Sequence, residues 1–188
     1  MAKSFYKAQW GKRTNGVPLI SSKLDSIRSF QFEVQFFNVP TLDVEEADHT
    51  LAAKSVGPVG FTVDDIPVDR VNDKVFYPGK PSPEEVTITF DNLLAKDTTG
   101  HLYLWFQSTY NPATGALAGG DFKCDKMTIL TLDGTANPTR EIQLFGVYPK
   151  SFKTSEFNYS TNEFHTIEVS FRYDMMDVGV ATNTFGGG

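Results

Sequence analysis

Residues 165–173 have the sequence His-Thr-Ile-Glu-Val-Ser-Phe-Arg-Tyr. Aliphatic or ring-containing side chains at the odd-numbered positions alternate with polar side chains at the even-numbered positions. Successive side chains of a β-strand point to opposite faces of a sheet. This stretch therefore predicts a strand with Ile167, Val169 and Phe171 on its buried face. The same alternation occurs at residues 30–36 and 86–90. Strands with one apolar and one polar face are typical of antiparallel sheets that cover a core on one side.

A hairpin is predicted further along the chain. Two apolar stretches, residues 127–132 and 140–148, flank the turn residues Asp133-Gly134 and Asn137-Pro138. Turn residues between two strand-like segments favour a β-hairpin with a long loop.

The middle of the chain predicts a second pair of long strands, at residues 50–56 and 66–77, joined by a Gly- and Pro-containing loop at residues 57–61. Residues 81–83 and 115–120 are rich in proline and glycine respectively, and we expect them to form surface loops.

An amphipathic helix is predicted by side chains spaced at i, i+3, i+4 and i+7, namely Leu102, Trp105, Phe106 and Thr109. Thr98 or Thr99 would supply the N-cap oxygen, and Asn111-Pro112 would stop the helix. A shorter helix is predicted at residues 22–29.

Composition fits a mainly β protein with two packed antiparallel sheets, forming a sandwich or barrel. Hydrophobic residues make up 40% of the 188 residues, and 15 Gly and 10 Pro favour a turn-rich chain. We expect one β-domain at residues 22–178, a basic N-terminal arm at 1–21 and a flexible tail at 179–188. Because apolar runs are short, we expect neither a membrane anchor nor signal-directed export.

Charge is distributed unevenly. Residues 1–30 contain six Lys or Arg and one Asp, so this segment carries +5 and the remainder −11, which gives the net charge of −6. Opposite charges on the arm and the body favour an electrostatic contact between copies, although a solvated terminus is also compatible with them. An acidic body argues against specific nucleic-acid binding, which requires neutralisation of phosphates.

Catalytic and metal-binding patterns are weak. A single cysteine excludes an intrachain disulfide and a Cys-rich zinc site, and the three histidines are far apart in sequence. The carboxylate pairs 45–46 and 64–65 are adjacent, so in a strand they would point to opposite faces. Residues 115–120 lack the lysine of a phosphate-binding loop. We therefore predict no enzymatic activity and no cofactor.

Cys124 lies between Lys123 and Lys126, two residues that could lower the pKa of its thiol. No histidine is close in sequence to act as a base. An unreactive structural thiol is the favoured interpretation.

Unpaired strand edges are the remaining problem for a sheet of this size. Pairing with neighbouring copies would satisfy the edge backbone groups. A small barrel closed within one monomer would do the same.

The order of elements resembles the tail tube protein family of contractile-tailed bacteriophages. The resemblance covers about residues 22–178, and Gly146-Val-Tyr-Pro149 is its most specific motif. The matching stretches are residues 30–39, 51–79, 85–92, 102–108, 140–149 and 162–173.

That resemblance implies a structural protein of the virion, assembled in the host cytoplasm. Hexameric rings of the chain would stack helically into a tube inside a contractile sheath, and inner strands would form one continuous barrel. The implied partners are further copies, the sheath protein, the baseplate and tail terminator proteins, and transiently the tape measure protein or DNA in the lumen. An acidic wall would let ejected DNA slide without sticking.

Site residues follow from the same resemblance. The strands at 50–56, 66–77, 127–132 and 140–148 would build the inner barrel, with polar residues facing the lumen: Asp69, Asp73, Thr131, Glu141 and Gln143. The loop at residues 55–65 would project onto the next ring, and its contact residues would be Val56, Val59, Phe61, Asp64 and Asp65. Basic side chains of the arm would contact neighbouring copies: Lys3, Lys7, Lys12 and Arg13.

Two alternatives remain open from the sequence. The related tube of a bacterial contractile injection or secretion system shares the fold and carries protein effectors. A β-sandwich that binds a ligand such as carbohydrate could use surface aromatics, for example Trp10 and Tyr110.

Overall fold

A computed structural model of the protein describes residues 27, 29–40, 53–93, 97–117, 121–133, 137–160 and 162–180. The elements, in chain order, are β1 (Phe32–Phe37), β2 (Ala53–Val56), β3 (Phe61–Asp69), β4 (Lys74–Pro83), β5 (Val86–Asp91), α1 (Thr98–Thr109), β6 (Tyr110–Asn111), β7 (Ala116–Leu117), β8 (Cys124–Leu132), β9 (Pro138–Thr154), β10 (Thr166–Arg172) and β11 (Met175–Val180).

Seven strands form one antiparallel hydrogen-bonded system that folds into two layers. Its order is β1-β8-β9-β10-β5-β2, and β11 also pairs with β9. The first half of the 17-residue strand β9 pairs with β8 and β11, whereas its second half pairs with β10. We call β1-β8-β9-β11 the first sheet and β9-β10-β5-β2 the second sheet. The predicted mainly β, antiparallel fold with one amphipathic helix is confirmed.

The two sheets enclose a single apolar core. The ring of Phe36, on β1, lies 6.3 Å from that of Phe90 and 5.7 Å from that of Phe171, both on the second sheet. All three side chains are fully buried. Burying a side chain of this size stabilises the fold by about 1.5–3 kcal/mol.

Helix α1 closes one side of this core through Leu102 and Trp105. The Trp105 Nε1–H donates to the carbonyl of Phe122 at 3.0 Å, so the buried indole has its hydrogen-bond partner. The N-cap is Asp97, whose Oδ1 accepts from the Gly100 N–H at 3.2 Å. The prediction of a Thr98 or Thr99 cap is wrong because Thr98 is buried, with its hydroxyl facing the Leu93 N–H.

Gly146 marks the point where β9 passes from the first sheet to the second. Its φ of +65° lies in the left-handed region, and a Cβ there would collide with the Asp174 carboxylate. That carboxylate accepts two hydrogen bonds from Lys123 Nζ, at 2.9 and 2.7 Å. The Asp174 N–H also donates to the Phe145 carbonyl at 2.9 Å. The bend is therefore held by the turn between β10 and β11.

Most strands predicted from the sequence are confirmed. The alternating segments correspond to β1, β5 and β10, and the hairpin at 127–148 corresponds to β8 and β9. The predicted helix at 102–109 corresponds to α1. Of the predicted helix at 22–29, only residues 27 and 29 are among the described residues, and residues 1–21 and 181–188 lie outside them.

The predicted pairing of residues 50–56 with 66–77 is wrong. Strand β2 pairs with β5, while β3 pairs with β4 in a separate two-stranded hairpin. Residues 81–83, predicted as a loop, form the end of β4. Strand β11 was not predicted, and it extends through Val180. Within the described residues, no helix is long and apolar enough to span a membrane.

Candidate assembly surfaces

The outer face of the first sheet, which points away from the core, is polar at its centre. Strand register puts two rows of side chains on this polar face: Gln35, Thr128, Gln143 and Asp177 in one, and Glu33, Leu130, Glu141 and Gly179 in the other. Within β1, Gln35 Nε2 donates to Glu33 Oε1 at 2.9 Å. Within β9, Gln143 Nε2 donates to Glu141 Oε1 at 2.5 Å. The face thus presents carboxylates that are oriented by neighbouring amides.

The five predicted lumen residues do not share a surface. Glu141 and Gln143 lie on the polar face. Thr131 pairs with Phe32, which packs against the core, so its side chain lies on the opposite face. A shift of one residue along a strand reverses the direction of the side chain.

The two remaining lumen candidates are on the β3–β4 hairpin, outside both sheets. Asp69 lies 3.2 Å from Lys74 Nζ at the end of this hairpin, and Asp73 is in its turn. Grouping Asp69 and Asp73 with the inner strands is therefore wrong, because it depended on the incorrect pairing with residues 50–56. Sequence reasoning missed Glu33, Gln35 and Asp177 on the polar face. The alternation at residues 30–36 carries a signal for the first two.

Strand edges are open at the ends of both layers. In the described part of the chain, β1 pairs with β8, β11 with β9, and β2 with β5, each along one side. Strands β1 and β11 are the two edges of the first sheet. No described strand pairs with their outer sides, and an unpaired edge of this kind can accept a further strand.

The β3–β4 hairpin is exposed along most of its length and is apolar on both faces. Ile66 and Val68 lie on one face and are 52% and 42% exposed, and Phe76, opposite Pro67 on the other face, is 60% exposed. Val71, at the tip, is 99% exposed. A two-stranded hairpin is marginally stable by itself in water, and exposed apolar patches of this kind mark interaction sites.

The hairpin base is fixed to the body by polar contacts. Arg172 Nη1 donates to the Pro83 carbonyl at 3.0 Å, and Tyr173 Oη donates to the Gly60 carbonyl at 2.6 Å. Burial raises the pKa of Tyr173. A hydrogen bond from Lys150 lowers the pKa of Glu85, which follows β4.

The apolar residues of the predicted inter-ring loop face inward. Val56, Val59 and Phe61 all pack against the core of their own chain, and the Phe61 ring lies 5.8 Å from that of Tyr173. Asp64 and Asp65 are exposed on β3. The projecting apolar surface therefore begins at Val63, inside the predicted loop, and extends beyond that loop to the hairpin tip.

A second exposed apolar surface, which we call the aromatic loop, comprises residues 155–165 between β9 and β10. Phe157, Tyr159 and Phe164 are 81%, 111% and 90% exposed. The Phe157 ring stacks on the imidazole of His165 at 4.4 Å. The aromatic loop and Lys54 line a cavity of about 610 Å³. The alternation begins only at residue 165, so the sequence pattern carries no signal for this loop.

Cys124 is fully buried, and desolvation raises the pKa of its thiol to about 12. Burial outweighs the backbone hydrogen bonds from Val147 and Lys126, which lower the pKa. Since the thiolate is the reactive form, we expect native Cys124 to resist alkylation by iodoacetamide at about pH 8 and to react after denaturation. Mass spectrometry of the alkylated protein would measure this. Equal alkylation rates in the native and denatured protein would contradict the burial of the thiol.

The described residues contain no cluster of three or more His, Cys, Asp or Glu side chains suited to holding a metal ion. His101 is on α1, and His165 is the last residue before β10, where its Nδ1 lies 3.2 Å from the Asn92 amide nitrogen. Tyr110, a candidate aromatic for carbohydrate, is 40% exposed on β6, and His49 and Trp10 lie outside the described residues.

Solved structures align with most of this chain. A chain from the anti-feeding prophage cap, the tube terminating cap, aligns with a TM-score of 0.68 and 14% identity, covering 86% of this chain and 95% of that chain. A chain from the PVC sheath-tube complex of an extracellular contractile injection system aligns with a TM-score of 0.67 and 15% identity, covering 86% and 99%. The chain has the fold of contractile-system tube proteins.

The tube fold also relates the chain, more distantly, to Hcp1 from Flavobacterium johnsoniae. That comparison gives a TM-score of 0.50 and 10% identity, covering 81% of this chain and 97% of that chain. No protein-family model and no curated protein matches the sequence. The likeness is therefore one of fold, and the recognition of a tube fold from the sequence is confirmed.

Proposed function

We propose that this chain is a structural subunit that polymerises into the inner tube of a contractile particle. The observation that carries the proposal is a tube-fold sheet with a polar outer face and two edges, β1 and β11, that are unpaired among the described residues. Copies arranged in a ring satisfy both edges if β11 of one copy pairs with β1 of the next. This heterologous contact closes the first sheets into one barrel.

The polar face of the first sheet lines the channel in this arrangement. Each copy contributes Glu33, Glu141 and Asp177 to the wall, with Lys126 in the adjoining row next to Phe37. An excess of carboxylates repels phosphates at short range, so nucleic acid would pass without binding. The hairpin extends from the second sheet and contacts the next ring, where its apolar side chains are buried.

Hexameric rings, a surrounding sheath, and baseplate and terminator proteins complete the proposed particle. The structural neighbours support such partners, because they come from a tube cap and a sheath-tube complex. In the phage form of the proposal, the tube belongs to a virion tail, holds the tape measure protein before ejection, and conducts DNA into the host.

An injection-system tube is the second candidate function. It is favoured by the particles from which two of the structural neighbours come. These neighbours, with TM-scores of 0.68 and 0.67, belong to the anti-feeding prophage and to an extracellular contractile injection system. Particles purified from producing cells separate the two. A DNA-filled head on the tail supports the phage form, whereas a headless particle that carries protein supports the injection form.

Negative-stain microscopy of the concentrated full-length protein tests the shared proposal. Rings or hollow tubes are expected, and their yield should rise with protein concentration because each copy contributes two complementary edges. Light scattering after size exclusion gives an independent mass. A chain that stays monomeric at every concentration and ionic strength would contradict a tube function.

A further inference from the structure

We propose that the aromatic loop, residues 155–165, is the receptor for the basic N-terminal arm of a neighbouring copy. This inference rests on the proposed ring assembly. It assigns the arm a specific docking surface.

The receptor surface combines aromatic rings and carboxylates. Three rings, those of Phe157, Tyr159 and Phe164, are almost entirely exposed. Glu156 and Glu163 alternate with them and are also exposed. The ion pairs found among the described residues leave both of these carboxylates unused. Exposed rings beside free carboxylates suit a cationic, aromatic peptide.

The arm has the complementary composition. Residues 3–13, Lys-Ser-Phe-Tyr-Lys-Ala-Gln-Trp-Gly-Lys-Arg, contain four cations, three aromatic rings and no acidic residue. Ammonium and guanidinium groups bind both carboxylates and aromatic faces, and aromatic side chains stack on one another. The described residues contain eighteen Asp or Glu against ten Lys or Arg, so the whole body attracts the arm.

The position of the chain where it enters the fold supports the contact between copies. Ser29 and Phe30 line a groove together with Lys54, and Lys54 also lines the cavity at the aromatic loop. The entry point of the chain at Ser29 and the aromatic loop are therefore at the same end of the described fold. In a ring, all copies have the same orientation, so each arm leaves at the level of the next copy's loop. The sixteen residues from Arg13 to Ser29 can span up to about 50 Å, which is enough to reach it.

Zero-length carbodiimide cross-linking of the assembled full-length protein, followed by mass spectrometry, tests the contact. Cross-links are expected between the arm lysines, Lys3, Lys7 and Lys12, and Glu156 or Glu163. The Lys150–Glu85 pair, at 2.5 Å, serves as the internal positive control. Raising NaCl from 0.1 to 1 M shortens the Debye length from about 10 Å to about 3 Å, and we expect roughly a fivefold loss of the arm cross-links.

Point variants distinguish specific binding of the arm to the aromatic loop from general electrostatic attraction to the acidic body. Tyr159→Ser and Phe164→Ser keep both carboxylates and alter side chains that are at least 90% exposed, so folding should be unchanged. Each is expected to reduce the arm cross-links several-fold. Tyr110→Ser, on β6, is the matched control and should leave the cross-links unchanged. Equal cross-linking in all three variants would overturn the assignment of the aromatic loop.

Mixing ¹⁵N-labelled and unlabelled protein before assembly identifies which copy the arm contacts. Cross-linked pairs of mixed mass support a neighbouring copy, whereas pairs formed only within one chain overturn the proposal. The same samples are scored for tubes by microscopy. Tubes without arm–loop cross-links overturn this inference and leave the proposed function standing. If copies become cross-linked but never form rings or tubes, this result supports the arm–loop contact and contradicts the proposed tube function.

Discussion

Changing both Val68 and Phe76 to aspartate is expected to abolish tube formation at concentrations where the unmodified chain assembles. The two side chains lie on opposite faces of the β3–β4 hairpin and are 42% and 60% exposed in the single copy. Burying a side chain of this type contributes about 1.5–3 kcal/mol, and each 1.4 kcal/mol changes an equilibrium about tenfold. We therefore expect the critical concentration to rise at least tenfold per substitution, as measured by sedimentation and microscopy.

Leu117→Asp provides the matched control for the hairpin variants. Leu117 is 79% exposed on β7, outside the hairpin and both sheets. This variant should assemble normally, and both it and the double variant should keep the far-ultraviolet circular dichroism of the unmodified monomer. Normal tube yield from the Val68→Asp, Phe76→Asp double variant would show that the hairpin makes no stabilising contact between rings.

Replacing Gly146 with alanine is expected to lower the free energy of unfolding by about 2–4 kcal/mol. A left-handed conformation costs a non-glycine residue about 1–2 kcal/mol. The new Cβ would also displace the Asp174 carboxylate, which is held by Lys123 in the turn between β10 and β11. For a chain of this size, the melting temperature should fall by roughly 5–15 °C in a calorimetric scan.

Substitutions at two other glycines distinguish the backbone cost at Gly146 from the cost of displacing the Asp174 carboxylate. Gly115 has a φ of +70° with open space around its Cβ position, so Gly115→Ala should show the conformational cost alone. Gly179 has ordinary space, 3.7 Å from the Glu141 side chain, and Gly179→Ala should be nearly neutral. If Gly146→Ala and Gly115→Ala destabilise the protein equally, the contact with Asp174 makes no contribution to the bend.

The sequence predicted those elements in which local pattern and burial agree. Alternation identified β1, β5 and β10 because one face of each is buried against the core. Helix α1 was found through the spacing of Leu102 and Trp105. The motif at Gly146 was recognised, although the bend between two sheets became evident only from its φ and its contact with Asp174.

The sequence did not predict features that depend on register or on tertiary structure. Strands β3 and β4 are exposed on both faces, so burial imposes no period of two on their side chains, and their pairing was wrongly assigned. Thr131 was placed on the polar face because its polarity was considered without its register. The aromatic loop follows no repeating pattern, and its exposure depends on the tertiary structure.

A high-resolution cryo-electron microscopy map of the assembled particle tests the central claim most directly. The expected result is a ring in which the free edge of β11 in each copy forms backbone hydrogen bonds with β1 of the next, with Glu33, Glu141 and Asp177 facing a common channel. A particle in which every copy keeps both edges of its first sheet unpaired, or turns these carboxylates away from the axis, would contradict it.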